Sequence, residues 1–75
     1  MTTEQIEELK ALQESNDALD RPSAIHQTHW DEGVCYREIC GAGYAKRYAR
    51  QPRGFSKDFF GVKITQAGRE LVADM

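Results

Sequence analysis

Ile39-Cys40-Gly41-Ala42-Gly43-Tyr44-Ala45-Lys46-Arg47 is the stretch in which the periodicity of the chain changes. Ahead of it, Cys35 with Ile39 and Tyr36 with Cys40 are spaced four apart, as on one helix. Behind it, Tyr44, Lys46, Tyr48 and Arg50 alternate with Ala45, Arg47 and Ala49, the period of a strand with one packed and one wet face. Gly41 and Gly43 stop the helix, because glycine enters the left-handed conformation at little cost. The pattern predicts a helix capped by Asp31 and running to about Cys40, then a strand. Gln51-Pro52-Arg53-Gly54 is a turn signal. Phe59-Phe60-Gly61-Val62-Lys63-Ile64 reads as the returning strand, so a basic β-hairpin spans roughly Tyr44 to Thr65. Thr65 caps a last helix, with Ala67, Leu71 and Val72 as its buried stripe.

Working back toward the N-terminus, Thr2 and Gln5 fit a capping box. Ile6, Leu9 and Leu12 then recur at helical spacing, which predicts a helix from Thr3 to about Ser15. Asn16 and Asp17 favour its end, and Leu19 is expected to pack back onto the domain. Asp20-Arg21-Pro22-Ser23 reads as the start of a short second helix from Pro22 to about Thr28, capped by Asp20 or Ser23. Trp30, just before the cap of the third helix, is placed to pack over Val34 or Cys35, and Gly33 weakens that helix near its start. The expected fold is mainly α with a two-stranded β-wing, in the order α-α-α-β-β-α. All 75 residues form one domain. Its parts are an acidic helix (1–19), a helix-turn-helix-like pair (20–43), the hairpin (44–65) and a C-terminal helix (66–75).

Hydrophobic residues at 40% and charged residues at 29% are the composition of a globular chain, near the lower size limit for a single unaided core. No apolar run approaches the roughly 18–20 residues that span a bilayer. The polar, acidic N-terminus is not a signal peptide, so the expected location is the cytoplasm. Two cysteines, Cys35 and Cys40, are too few for a disulfide scaffold and are expected to be reduced.

The net charge of −2 conceals a segregation. Residues 1–20 carry Glu4, Glu7, Glu8, Glu14, Asp17 and Asp20 against Lys10, a balance of −5. Residues 21–57 carry Arg21, Arg37, Lys46, Arg47, Arg50, Arg53 and Lys57 against Asp31, Glu32 and Glu38, a balance of +4. A basic middle can bind an anionic partner despite an acidic total. The plainer reading, that a solvated surface carries both signs, suits the first helix.

The stretch 39–47, followed by Val62-Lys63-Ile64-Thr65-Gln66-Ala67-Gly68-Arg69-Glu70-Leu71, resembles the winged helix-turn-helix domain of bacterial and phage regulators. Shared features are a helix ending in glycine, aromatic, small and basic residues, then a basic loop, then an apolar-x-Ile-Thr-x-x-Gly segment. The resemblance covers about Asp20 to Met75; a generic α+β domain with a hairpin is the competing fold. It implies a third helix that enters the DNA major groove, presenting Glu32, Tyr36, Arg37 and Glu38. It also implies a wing that meets the backbone with Arg47, Arg50, Arg53 and Lys57. The binding set is therefore Arg37, Lys46, Arg47, Arg50, Arg53 and Lys57, and the partner double-stranded DNA. The role implied is a small transcriptional regulator of phage or mobile-element type. Asp31, Glu32 and Glu38 repel phosphate, so the alternative is a protein-binding inhibitor or adaptor on the same scaffold, for example one that blocks a host defence complex. The stripe Ile6, Leu9 and Leu12 could dock on its own domain or on a second copy, giving a homodimer.

His26, His29, Cys35 and Cys40 contain zinc-ligand types, but their spacing is not that of a standard finger, ribbon or knuckle. Cys35 and Cys40 equally suit the buried face of a helix. The expectation is no metal and no cofactor. A cysteine–histidine nucleophile lacks an orienting third group and an oxyanion site by motif, so no enzymatic activity is expected.

Overall fold

The computed structural model describes residues 1–48 and 57–74. The elements, in chain order, are α1 (Thr3–Leu19), β1 (Ser23–His26), α2 (Thr28–Asp31), α3 (Tyr36–Gly41), β2 (Ala45–Tyr48), β3 (Phe59–Ile64) and α4 (Gln66–Ala73). The strands form one antiparallel sheet in the order β1-β3-β2.

Two elements begin where the sequence places them. Thr2 and Gln5 close the capping box at the start of α1, each side chain satisfying the other's backbone N–H. Thr65 caps α4 by accepting the Gly68 N–H at 3.1 Å. The returning strand occupies 59–64 as expected.

The helix-to-strand transition at 39–45 also follows the sequence. Gly43 takes φ +88°, its N–H bonds the Cys40 carbonyl, and the Tyr44 N–H reaches back to the Ile39 carbonyl. These are the two bonds of a Schellman stop, which satisfy carbonyls that the end of α3 leaves free. Gly41 itself remains helical.

The expected second helix is a strand. Ser23, Ala24, Ile25 and His26 pair with Val62, Gly61, Phe60 and Phe59, so the sheet has three strands and the order α-α-α-β-β-α does not hold. The reason is tertiary. β3 is fully buried at 60–62 and needs hydrogen-bond partners on both edges. Pro22, which has no N–H, sits just before the paired segment, where no ladder bond is lost.

The expected third helix starts late, at Tyr36, and a separate short helix, α2, precedes it. Gly33 and Cys35 both have positive φ (+67° and +55°), so Asp31 ends α2 instead of capping α3, and α3 has only six residues. α1 is longer than expected, continuing through Asn16 to Leu19 and ending at a left-handed Asp20. Leu19 does not pack down; it is 53% exposed.

Leu9, Leu12, Tyr36, Ile39, Ala45, Phe60, Val62 and Ile64 form the core, where α1 and α3 meet one face of the sheet. Ile6 is only half-buried. Leu71 and Val72 of α4 pack against this core, whereas Ala67 is exposed and the buried position is Gly68. A Cβ on Gly68 would lie 2.1 Å from the Tyr44 carbonyl oxygen, so α4 approaches the α3–β2 turn at a distance only glycine allows. The same corner is tied by Thr65, whose hydroxyl donates to the Gly43 carbonyl at 2.6 Å and whose N–H donates to the Tyr44 carbonyl.

Asn16 joins α1 to the sheet. Its Oδ1 accepts the Ile64 N–H at 2.7 Å, and its Nδ2 donates to the Val62 carbonyl and to Ser23 Oγ. β1 reaches only as far as Val62, so the Asn16 amide serves β3 as a neighbouring peptide would. At the other end of α1, Gln5 Nε2 donates to the Val34 carbonyl, fixing the turn before α3.

Candidate functional site

The α3–β2 corner brings the end of α3 beside the start of the basic hairpin. Residues 44–57 contain five cations, Lys46, Arg47, Arg50, Arg53 and Lys57, and no carboxylate. Arg50 and Arg53, with the turn expected at 51–54, lie outside the described residues.

Of the described cations in residues 44–57, Arg47 has two aromatic contacts. Strand alternation puts it on the same face of β2 as buried Ala45. Its guanidinium lies 4.7 Å from the centre of the Trp30 ring and 4.3 Å from that of Phe60. Trp30 and Phe60 in turn meet edge to face, with centroids 5.6 Å apart. Arg47 is exposed as a residue and makes no salt bridge among the described residues. Its aromatic contacts therefore cover the guanidinium without neutralising it.

Lys46 stands on the opposite face of the strand, exposed, with its ammonium 5.6 Å from the Tyr48 ring centre. It pairs directly across the sheet with Lys63, a like-charge juxtaposition that costs stability by itself. Lys57 is exposed just before β3.

The helix half of the expected binding set changes more. Tyr36 is not presented to a partner; it is 1% exposed in the core. Its hydroxyl donates to Glu8 Oε1 at 2.6 Å. Burial, together with this carboxylate, holds the phenol well above its ordinary pKa of 10.0. Arg37 is exposed, and its Nε donates to Asp31 at 2.9 Å. Glu32 and Glu38 are exposed. Asp31, Glu32 and Asp58 also line a surface cleft of about 460 Å³ with His26, Gln27 and Thr28, on the α2 side of the sheet. The cationic hairpin thus borders an acidic rim.

No three of His26, His29, Cys35 and Cys40 are brought together as a metal site. His26 Nδ1 is 2.9 Å from Thr28 Oγ1, and its ring meets Phe59 edge to face. Both cysteines are free and half-buried. Burial pushes the Cys40 thiol up, partly offset by the Arg47 cation. No helix among the described residues is long and apolar enough to cross a membrane.

The sequence reading missed the parts played by Trp30, Phe60 and Asn16. The alternation that set Arg47 on the inward face of β2 was a signal for the first two. Asn16 gave none, since a polar residue near a helix end is ordinarily a terminator.

No family model, curated protein or solved structure matches the chain. The functional reading therefore stands on the geometry of the α3–β2 corner and its charges.

Proposed function

We propose that the chain is a small winged-helix nucleic-acid-binding protein, a transcriptional regulator of phage or mobile-element type, with the hairpin 44–65 as its DNA-contacting wing. One observation carries this reading. The Schellman stop at Gly43 and the Thr65 tie fix a helix end beside a hairpin segment that has five cations and no carboxylate. Such a segment meets a phosphate backbone by charge, independently of sequence. Lys46, Arg47 and Lys57 supply the cations in the described part, and the sequence adds Arg50 and Arg53.

α3 contributes less. It is six residues long, and its cation Arg37 is paired with Asp31. Backbone contacts therefore dominate over base reading in this proposal. The test is fluorescence anisotropy with labelled duplex DNA at several salt concentrations. The reading expects affinity that falls steeply with salt, log K losing about 0.9 per decade of salt for each phosphate neutralised. The triple variant R50A/R53A/K57A should lose most of the binding; unchanged affinity in that variant would remove the wing from the reading.

The acidic outer surface of α1, with Glu4, Glu7 and Glu14 exposed, favours a second reading. In it the same scaffold is a protein-binding inhibitor or adaptor, and α1 meets a basic partner surface. A stoichiometric complex with a host protein, lost on charge reversal at Glu7 and Glu14 and accompanied by no DNA affinity, is the outcome that selects it.

A further inference from the structure

Arg47 is a charged side chain that rests against two aromatic rings and makes no salt bridge among the described residues. The guanidinium rests against Trp30 from α2 and Phe60 from β3, at 4.7 and 4.3 Å from the ring centres. A guanidinium carries five N–H donors, more than two ring contacts engage, so donors remain for an anion. Neither ion pair of the described residues involves Arg47; they are Arg37–Asp31 and Arg69–Asp17. The two rings are themselves fixed. They contact each other at 85°, Phe60 is 4% exposed in the core, and Trp30 packs on that core.

An arginine free in solution loses rotamer entropy when it grips a phosphate. One already held by two rings loses less, so each hydrogen bond it makes contributes more to affinity. The position is suited to a strand of nucleic acid. Arg47 lies on β2, which packs against α3, so a phosphate held there would sit beside that helix.

We propose that Trp30 and Phe60 are positioning residues that pre-orient Arg47 as the principal phosphate anchor for duplex DNA. This rests on the nucleic-acid reading above and adds to it a named contact and the residues that hold it. Residues 44–57 carry five cations and no carboxylate, the charge that suits a polyanion such as a phosphate backbone.

The experiment is a double-mutant cycle on the full chain, W30L, R47A and W30L/R47A, read by anisotropy on one duplex at several salt concentrations. R47A should weaken binding and reduce the salt slope by about 0.9, the value for one phosphate contact. W30L should weaken binding about two- to fivefold, as expected for loss of an exposed cation–π contact, and leave the slope unchanged because the charge remains. In the R47A background, W30L should cost nothing further. W30F, which keeps a ring under the guanidinium, should restore most of the affinity. Thermal melting without DNA separates lost folding from lost positioning, and measurements are made where each variant is folded. Trp30 is the chain's single tryptophan, so its fluorescence should change on DNA addition in wild type and much less in R47A. Equal losses from W30L with and without Arg47, in folded protein, would overturn the positioning role while leaving DNA binding intact. Absence of wild-type affinity for duplex at low salt would overturn both, and binding to an acidic peptide instead would assign Arg47 to a carboxylate.

Discussion

Asn16 Oδ1 accepts the backbone N–H of Ile64 at 2.7 Å, while the same amide's Nδ2 donates to the Val62 carbonyl at 3.2 Å. One side chain from α1 thus pairs with β3 along the edge that β1 leaves free. Asn16 is 2% exposed, so water does not replace these bonds when they are lost. A buried group left unpaired costs about 1–3 kcal/mol, and Asn16→Ala strands at least one donor and one acceptor. Asn16→Ala should therefore destabilise the fold by about 3 kcal/mol, a large share of what a small domain possesses. Urea unfolding measures it. A loss below about 1 kcal/mol would show that the β3 edge finds other partners.

Gly68 and Gly41 make a matched pair for a second prediction. A Cβ at Gly68 meets the Tyr44 carbonyl oxygen at 2.1 Å and Ile64 Cγ1 at 2.8 Å; at Gly41 it meets nothing within 4 Å. Both residues are helical and neither has a positive φ. Gly41→Ala should be neutral or stabilise by up to about 1 kcal/mol through helix propensity. Gly68→Ala should gain the same propensity and still lose about 1–3 kcal/mol net, because α4 must move off the α3–β2 corner. Thermal melts of the two variants check the opposite signs.

The two glycines also mark how much of the fold the sequence makes legible. Local signals sufficed wherever the structure is locally determined. Thr2, Gln5 and Thr65 cap as read, Gly43 stops α3, and 59–64 is a strand. What sequence missed is tertiary. Ser23–His26 is a strand because the edge of β3 needs a partner, and no local feature of Ser-Ala-Ile-His demands it. Asn16 continues α1 because its amide bonds a strand 46 and 48 positions away. The candidate site was legible as a run of cations in 44–57. It was not legible as a ring-held arginine, since Trp30 and Phe60 converge on Arg47 only after the sheet forms. Tyr36 was placed at the partner surface by the resemblance; the helix that carries it starts only after the breaks at Gly33 and Cys35, and Tyr36 lies in the core.

Tyr36 carries a pH prediction. Its phenol is held above the ordinary 10.0 by burial and by the Glu8 carboxylate that accepts its hydroxyl. Above pH 10 the unfolded chain releases this proton and the folded one keeps it. Stability from this group is therefore full below about pH 10 and falls as pH rises, by at most about 1.4 kcal/mol per pH unit. Tyr36→Phe removes this dependence along with the hydrogen bond, at a cost near neutral pH of about 1 kcal/mol. Urea midpoints of both proteins from pH 8 to about pH 11.5 should therefore converge as the wild type weakens. Parallel curves would mean that the phenol titrates alike in both states.

Arg37 supplies the last prediction, which concerns how the acidic rim restrains binding. Its Nε bonds Asp31 at 2.9 Å, with both side chains more than 60% exposed. An ion pair this exposed is worth only about 0–1 kcal/mol, so under the DNA reading a phosphate displaces it, at some loss of affinity. Glu32 is the neighbouring acid and has no such bond to Arg37. Under the DNA reading, Asp31→Asn should raise affinity more than Glu32→Gln, because it removes a repulsive charge and also releases the guanidinium. The expected gain is about three- to fivefold for Asp31→Asn and about twofold for Glu32→Gln at moderate salt. With Arg37→Ala already in place, the two substitutions should give the same small gain. Equal gains in the presence of Arg37 would reduce Asp31 to a general repulsive charge, and anisotropy titrations of the five variants against wild type decide between these outcomes.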